Sequence, residues 1–179
     1  MTGPAGIATL AGMTPTLPEL LAQEDALVLP RFTHDDAWWL GGRLVDLARE
    51  RELPILIDIR RGELQLFQHA RPGTSPDNAS WVARKNAVVR RFGHSSLLMG
   101  QKYRDRGTTF EEATGLPRDR YAAHGGAFPL IVAGAGIIGT ATVSGLAQVE
   151  DHALVVEGLQ ALLAEQRGGA AQEGADAGS

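Results

Sequence analysis

The chain has no cysteine among its 179 residues. That excludes a disulfide framework, a thiolate metal site, a cysteine nucleophile and an iron–sulfur cluster. Charge is sparse as well, at 21% of residues with a net charge of −4, so nothing here favours bulk affinity for nucleic acid. No Lys or Arg precedes Arg31, so the start lacks the basic n-region of a secretion signal. The most apolar stretch, Ala127 to Val143, is interrupted by Pro129, Gly134, Gly136 and Gly139, which argues against a membrane helix. A soluble cytoplasmic domain with no membrane and no nucleic-acid partner is the expectation.

Glycine, in contrast, is plentiful: 22 residues, six of them between 125 and 145. Those at either end sit in low-complexity sequence. Residues 1–17 read as a disordered leader and 167–179 as a disordered tail, leaving one domain over 18–166. The central cluster marks a place where backbones turn or approach closely.

Hydrophobic periodicity orders the domain. A first strand is expected at Leu27–Leu29. A helix follows from Thr33 or His34, with Asp35 and Asp36 in its first turn, and it ends before Pro54. Ile55–Ile59 and Leu64–His69 alternate around Arg60-Arg61-Gly62-Glu63 and form a hairpin. Asp77 or Asn78 caps a helix with Trp81, Val88 and Phe92 on one side, closed by Gly93, and Ser95–Tyr103 forms a short helix. Ala127–Ala133 and Ile137–Val143 form a second hairpin, and an amphipathic helix runs from Gln148 to Gln166. Strands in adjacent hairpins with helices between them imply an antiparallel sheet covered by helices, an α/β (α+β) fold.

Gly134-Ala135-Gly136-Ile137-Ile138-Gly139 matches the dinucleotide-binding fingerprint letter for letter. That pattern needs a helix opening inside the glycines. The residues that follow, Thr140-Ala141-Thr142-Val143, favour a strand, so the segment reads as a hairpin turn.

Several residues are candidates for ligand binding. Lys85 falls on the inward stripe between Trp81 and Val88, so its stem is buried and its ammonium either snorkels or pairs with a carboxylate of the ligand. His124 precedes Gly125-Gly126, whose amides give close access to whatever lies there; turn chemistry explains the same glycines. Thr142 and Ser144 put hydroxyls on one face of their strand. His152 shares a helix face with Val156, Leu159 and Leu163, as a neutral core histidine, an oligomer contact or a ligand. No histidine pair has metal-ligand spacing, so no metal site is read locally.

Trp81-x3-Lys85 in WVARKNAVVRRFGHSS, then HGGAFPLIV, then GIIGTATVSGLAQVEDHALVVEGL, resemble the haem-degrading domain family of GlcG-like and HbpS-like proteins. Within it the chain resembles the uncharacterised UPF branch, over Leu27 to Leu163. The resemblance implies a profilin-like α/β/α layout around a five-stranded antiparallel sheet of order 2-1-5-4-3. It also implies homo-oligomers, and haem association in some members. On that basis the expected ligand is haem, a related tetrapyrrole or another small anion. Lys85 would meet a propionate, His124 or His152 the metal or ring, and the Gly125-Gly126 amides would lie close by. A non-catalytic oligomeric adaptor with His152 between subunits, and an enzyme on a small anion, are the alternatives.

Overall fold

The computed structural model describes residues 13–176, with side chains as far as Gly169. The calls on the leader and the tail therefore lie partly outside the described residues.

Among the described residues, eleven elements follow in order: α1 (Leu17–Ala26), β1 (Val28–Leu29), α2 (His34–Glu50), β2 (Leu56–Arg61), β3 (Leu64–Ala70), α3 (Pro76–Phe92), α4 (Ser96–Arg104), α5 (Phe110–Thr114), β4 (Ala127–Val132), β5 (Gly136–Ser144) and α6 (Gln148–Asp176). The helix starts are chemically explicit. Thr16, Thr33 and Thr109 each cap a helix: the hydroxyl accepts the N–H of the acid three residues on, and the threonine N–H donates to that acid's carboxylate. Gly93 closes α3 in the left-handed conformation.

The five strands form one sheet in the order β1-β4-β5-β2-β3. Both expected hairpins are present, and β5 pairs antiparallel with β2 to join them. Two expectations need correction. The sheet is mixed, because β1 pairs parallel with β4 through Val28↔Ile131 and Leu29↔Val132. A strand–helix–strand passage returns the chain in its original direction, so β1, followed by the crossover helix α2, runs parallel to β2 and hence to β4. The order differs from 2-1-5-4-3 for the same reason: the first strand occupies the outer edge of β4 instead of sitting next to the first hairpin.

Helices cover both faces, giving the three layers expected. On one face α2 and α6 close the main core, with Leu40, Leu44, Ile57, Ile59, Phe128, Val143 and Leu159 fully or nearly fully buried. On the other face lie α3 and α4, joined by α1 and α5 around a smaller core of Leu20, Val88, Leu97, Met99 and Phe110. The Gly134–Gly139 segment is the β4–β5 turn and the start of β5, as expected. Gly139 lies against Arg60, where any Cβ would collide with the Arg60 carbonyl, so that glycine answers to sheet packing. Two helices escaped the sequence reading, α1 and α5, and α6 continues to Asp176, beyond its expected end at Gln166.

Candidate functional site

The layer between the sheet and α3 is unusually polar. Asp58, completely buried on β2, accepts hydrogen bonds from Arg60 Nε (2.9 Å), Gln65 Nε2 (2.6 Å) and Asn86 Nδ2 (3.1 Å). Thr142, opposite Asp58 on β5, donates its hydroxyl to Asn86 Oδ1. Thr142 therefore belongs to the floor of this layer, and its hydroxyl is occupied.

Where β5 runs out, the layer opens into a cleft of about 250 Å³. Asp77, Asn78, Trp81 and Lys85 line it from α3, with Asp77, Trp81 and Lys85 spaced by four so that they share a helix face. His124 stands at its mouth; Ser144, Gly145 and Leu146 form its far wall; Gln148 and Asp151 belong to α6. Asn78 ties the wall to the helix, accepting from the Ser75 N–H (2.8 Å) and donating to the Ser144 carbonyl (3.3 Å).

At its base, Lys85 is 3% exposed and pairs with Asp151, Nζ to Oδ2 at 2.8 Å, while donating to the Val143 carbonyl at 3.2 Å. Asp151 also accepts the N–H groups of Leu146 (2.9 Å) and Gly145 (3.4 Å), fixing the β5–α6 turn. Burial lowers the Lys85 pKa and raises that of Asp151, against the pull of their mutual attraction. A ligand carboxylate was the expected partner of Lys85; in the structure a carboxylate of the chain, Asp151, holds its ammonium instead. Gly126 makes room for the pair: a Cβ there would lie 2.6 Å from Lys85 Nζ and against the Val143 carbonyl, and its φ of 131° is one that glycine alone adopts easily. Gly125 donates its N–H to Gln148 Oε1 (3.4 Å).

His124 packs edge-on against Trp81, ring centroids 5.3 Å apart, and the Arg84 guanidinium lies 4.0 Å from the centre of the Trp81 ring. Partial desolvation lowers the His124 pKa from its ordinary value, which favours the neutral imidazole.

The structure therefore brings Lys85, His124, Gly125, Gly126 and Ser144 together and leaves His152 elsewhere. His152 is 2% exposed, tilted against Phe128, with Nε2 2.8 Å from Gln23 Oε1 on α1. It borders a separate cavity of about 290 Å³ between the start of α1 and α6, with Gln23, Val156 and Gln160. Burial takes its pKa down to about 4. A ring covered by its own chain is not at a subunit surface. Among the described residues, no cluster of three His, Asp or Glu side chains could hold a metal ion, and no helix is long and apolar enough to cross a membrane.

The cleft itself does not fit an enclosed tetrapyrrole. Its volume is below the ~300–1,000 Å³ usual for drug-sized ligands, and its walls are mostly polar, whereas a macrocycle needs broad apolar walls. Its mouth does offer a donor that haem iron takes, the exposed His124 imidazole beside the Trp81 ring.

A family model described as haem degrading protein HbpS-like matches residues 32–160. This chain belongs to the HbpS-like family. Among curated relatives of this HbpS-like chain, a UPF0303 protein of Streptomyces avermitilis is 60% identical over 152 residues, 85% of this chain and 93% of the relative. A UPF0303 protein of Paraburkholderia xenovorans is 49% identical over 144 residues, 80% of this chain and 87% of the relative. Among solved structures, the Ybr137w protein superimposes with a TM-score of 0.79 at 35% identity, covering 86% of this chain and 90% of its own. A PduOC:haem complex (TM-score 0.62, 14% identity, 73% of this chain and 94% of that one) and HbpS (TM-score 0.57, 14% identity, 74% and 90%) share the fold.

The residues that sequence reasoning passed over are Asp58, Asp77 and Gln148, together with Asp151 as a partner for Lys85. Asp77 was legible from its i, i+4, i+8 spacing with Trp81 and Lys85. Asp58 stood out as one acid in the middle of Ile55–Ile59.

Proposed function

We propose that this chain is a cytoplasmic haem- or tetrapyrrole-binding protein that holds the macrocycle at the mouth of the α3–β5–α6 cleft. The observation that carries the reading is a solvent-facing imidazole, His124, set edge-on to Trp81 beside a pinned glycine pair. Haem in a fold neighbour is in keeping with it. His124 would supply a nitrogen ligand, Trp81 an aromatic edge, and Arg84, half-buried on α3 over the Trp81 ring, a cation for a propionate. Lys85 acts from below: its ion pair with Asp151 keeps Gly126 and the β5–α6 turn in place. Bound haem would supply iron-centred chemistry; the chain supplies ligation and position.

Haemin titration of the purified protein tests this. A Soret shift that is lost in His124→Ala and retained in His152→Gln is expected. No shift, or an equal shift in His124→Ala, overturns it. The size and polarity of the cleft favour a second reading, a small polar metabolite bound inside it by Asn78 and Ser144. Native mass spectrometry of the purified protein would then show a co-purified mass that disappears in Ser144→Val and survives in His124→Ala.

A further inference from the structure

The chain has only two lysines, Lys85 and Lys102, among its 17 basic residues. Lys85 stands at the base of the α3–β5–α6 cleft, buried beside Asp151. An arginine there could hold the same charge, but it could not give up a proton and act as a nucleophile. A buried ion pair is in itself a weak source of stability, because desolvating both charges offsets their attraction. Asp151 already fixes the β5–α6 turn through the Leu146 and Gly145 N–H groups, a role that does not require the lysine. The pair also borders an open cleft, whereas an ion pair sealed in a core has no access to a guest.

The arrangement is that of an amine with its own proton acceptor. Asp151 Oδ2 lies 2.8 Å from Nζ, close enough for direct proton transfer. Burial pushes both partners towards their uncharged forms, a free amine and a carboxylic acid. The free amine is the form that attacks a carbonyl carbon. The rest of the lining indicates which carbonyl compound. Asp77 Oδ2 accepts the Trp81 indole N–H at 3.1 Å, which leaves Oδ1 for a hydroxyl donor. Gln148 uses its Oε1 on the Gly125 N–H and keeps its amide hydrogens, and Ser144 adds a hydroxyl. With Lys85 and Asp151 cancelling each other, Asp77 leaves the lining negative, which repels a carboxylate and favours neutral hydroxyl groups.

We propose that Lys85 forms a Schiff base with a short hydroxyaldehyde, whose hydroxyl is held by Asp77, Ser144 or Gln148. The bond rests on the reading of the cleft as a site for a small polar metabolite, and is independent of the tetrapyrrole reading. The step balances without a co-reactant. Lys85 passes one ammonium proton to Asp151, and its lone pair bonds the carbonyl carbon as the C=O π pair moves to oxygen. A proton shifts from that nitrogen to the oxygen, giving a carbinolamine. Asp151 returns its proton to the hydroxyl, the C–O bond breaks and water leaves. The nitrogen lone pair closes the C=N bond, and the protonated imine carries the charge the ammonium had, again facing the Asp151 carboxylate.

Reductive trapping of the wild-type protein tests this, with no variant whose folding could fail. The protein is mixed with glycolaldehyde and sodium cyanoborohydride at pH 7, sampled over time, and read by peptide mass mapping for a hydroxyethyl group on each lysine. Lys102, more open to solvent on α4, is the internal standard. A merely structural Lys85 is shielded and reacts more slowly than Lys102. A Schiff-base lysine leads Lys102 by about tenfold or more, because the cleft holds the aldehyde against it. Unlabelled Lys85, or Lys85 labelled no faster than Lys102, overturns the proposal. Glyoxylate, an aldehyde of the same length bearing a carboxylate, should lower the ratio of Lys85 to Lys102 labelling; an equal or higher ratio overturns the choice of a hydroxyaldehyde. The co-purified mass described above is read without reductant, so it can be present while Lys85 stays unlabelled, and the two failures are told apart.

Discussion

His152 makes acid stability a direct test of the packing between α1 and α6. Its Nε2 faces Gln23 Oε1 and its ring lies against Phe128, with no acidic partner in contact. Burial holds its pKa near 4, against about 6.5 in the unfolded chain. Between those values the unfolded state binds a proton that the native state refuses, so acidification favours unfolding. The contribution is fully present above pH 6.5 and is lost as the pH falls towards 4. The whole shift corresponds to roughly 3 kcal/mol, of which about 2 kcal/mol is gone by pH 5. His152→Gln keeps an N–H to offer Gln23 and removes the titration. Urea unfolding followed by tryptophan fluorescence at pH steps from 7 to 4.5 should show the wild type losing its advantage over H152Q by these amounts. Parallel stability curves for the two proteins would refute the assignment of a buried, proton-refusing ring.

Two further substitutions probe the cleft. Lys85→Met leaves Asp151 buried with only the Leu146 and Gly145 amides, and should cost about 3–5 kcal/mol in urea unfolding; K85M/D151N should recover most of that, because the uncompensated charge is gone. A double variant no better than the single one would show that the cost is steric. Gly126→Ala forces a side chain onto Lys85 and the Val143 carbonyl at a φ of 131°, and should lower stability by about 2 kcal/mol or more. Gly42→Ala, with open space around it inside α2, should be neutral or stabilising by up to about 1 kcal/mol, so equal melting shifts for the two would contradict the packing.

Much of this architecture was legible in local patterns. Alternation in Ile55–Ile59 and Leu64–His69, and the β-favouring residues after Gly139, located both hairpins, and the stripe through Trp81 and Lys85 located α3 and half the cleft. The edge partner of β4 was not legible. Val28 and Leu29 form a two-residue strand, too short for periodicity, and its neighbour lies about 100 positions away. The start of α1 was present as Thr16-Leu17-Pro18-Glu19, a capping box hidden by the small-residue composition before it. Lys85 was found as a buried cation, but its partner was not, since Asp151 reads locally as a helix-start acid and the pairing exists only once β5 delivers α6 to α3.

Asp58 also bears on how the sheet assembles. Its neighbours Ile57 and Ile59 face the dry layer under α2 and α6, while Asp58 faces Asn86 and Thr142 in the layer under α3. A slip of one residue along β5 would exchange these faces and push a carboxylate among Leu44, Phe128 and Val143 with no donor in reach. The misaligned sheet would carry an unpaired charge costing several kcal/mol. The same carboxylate that anchors the polar layer therefore works as a proofreader, penalising the out-of-step sheet.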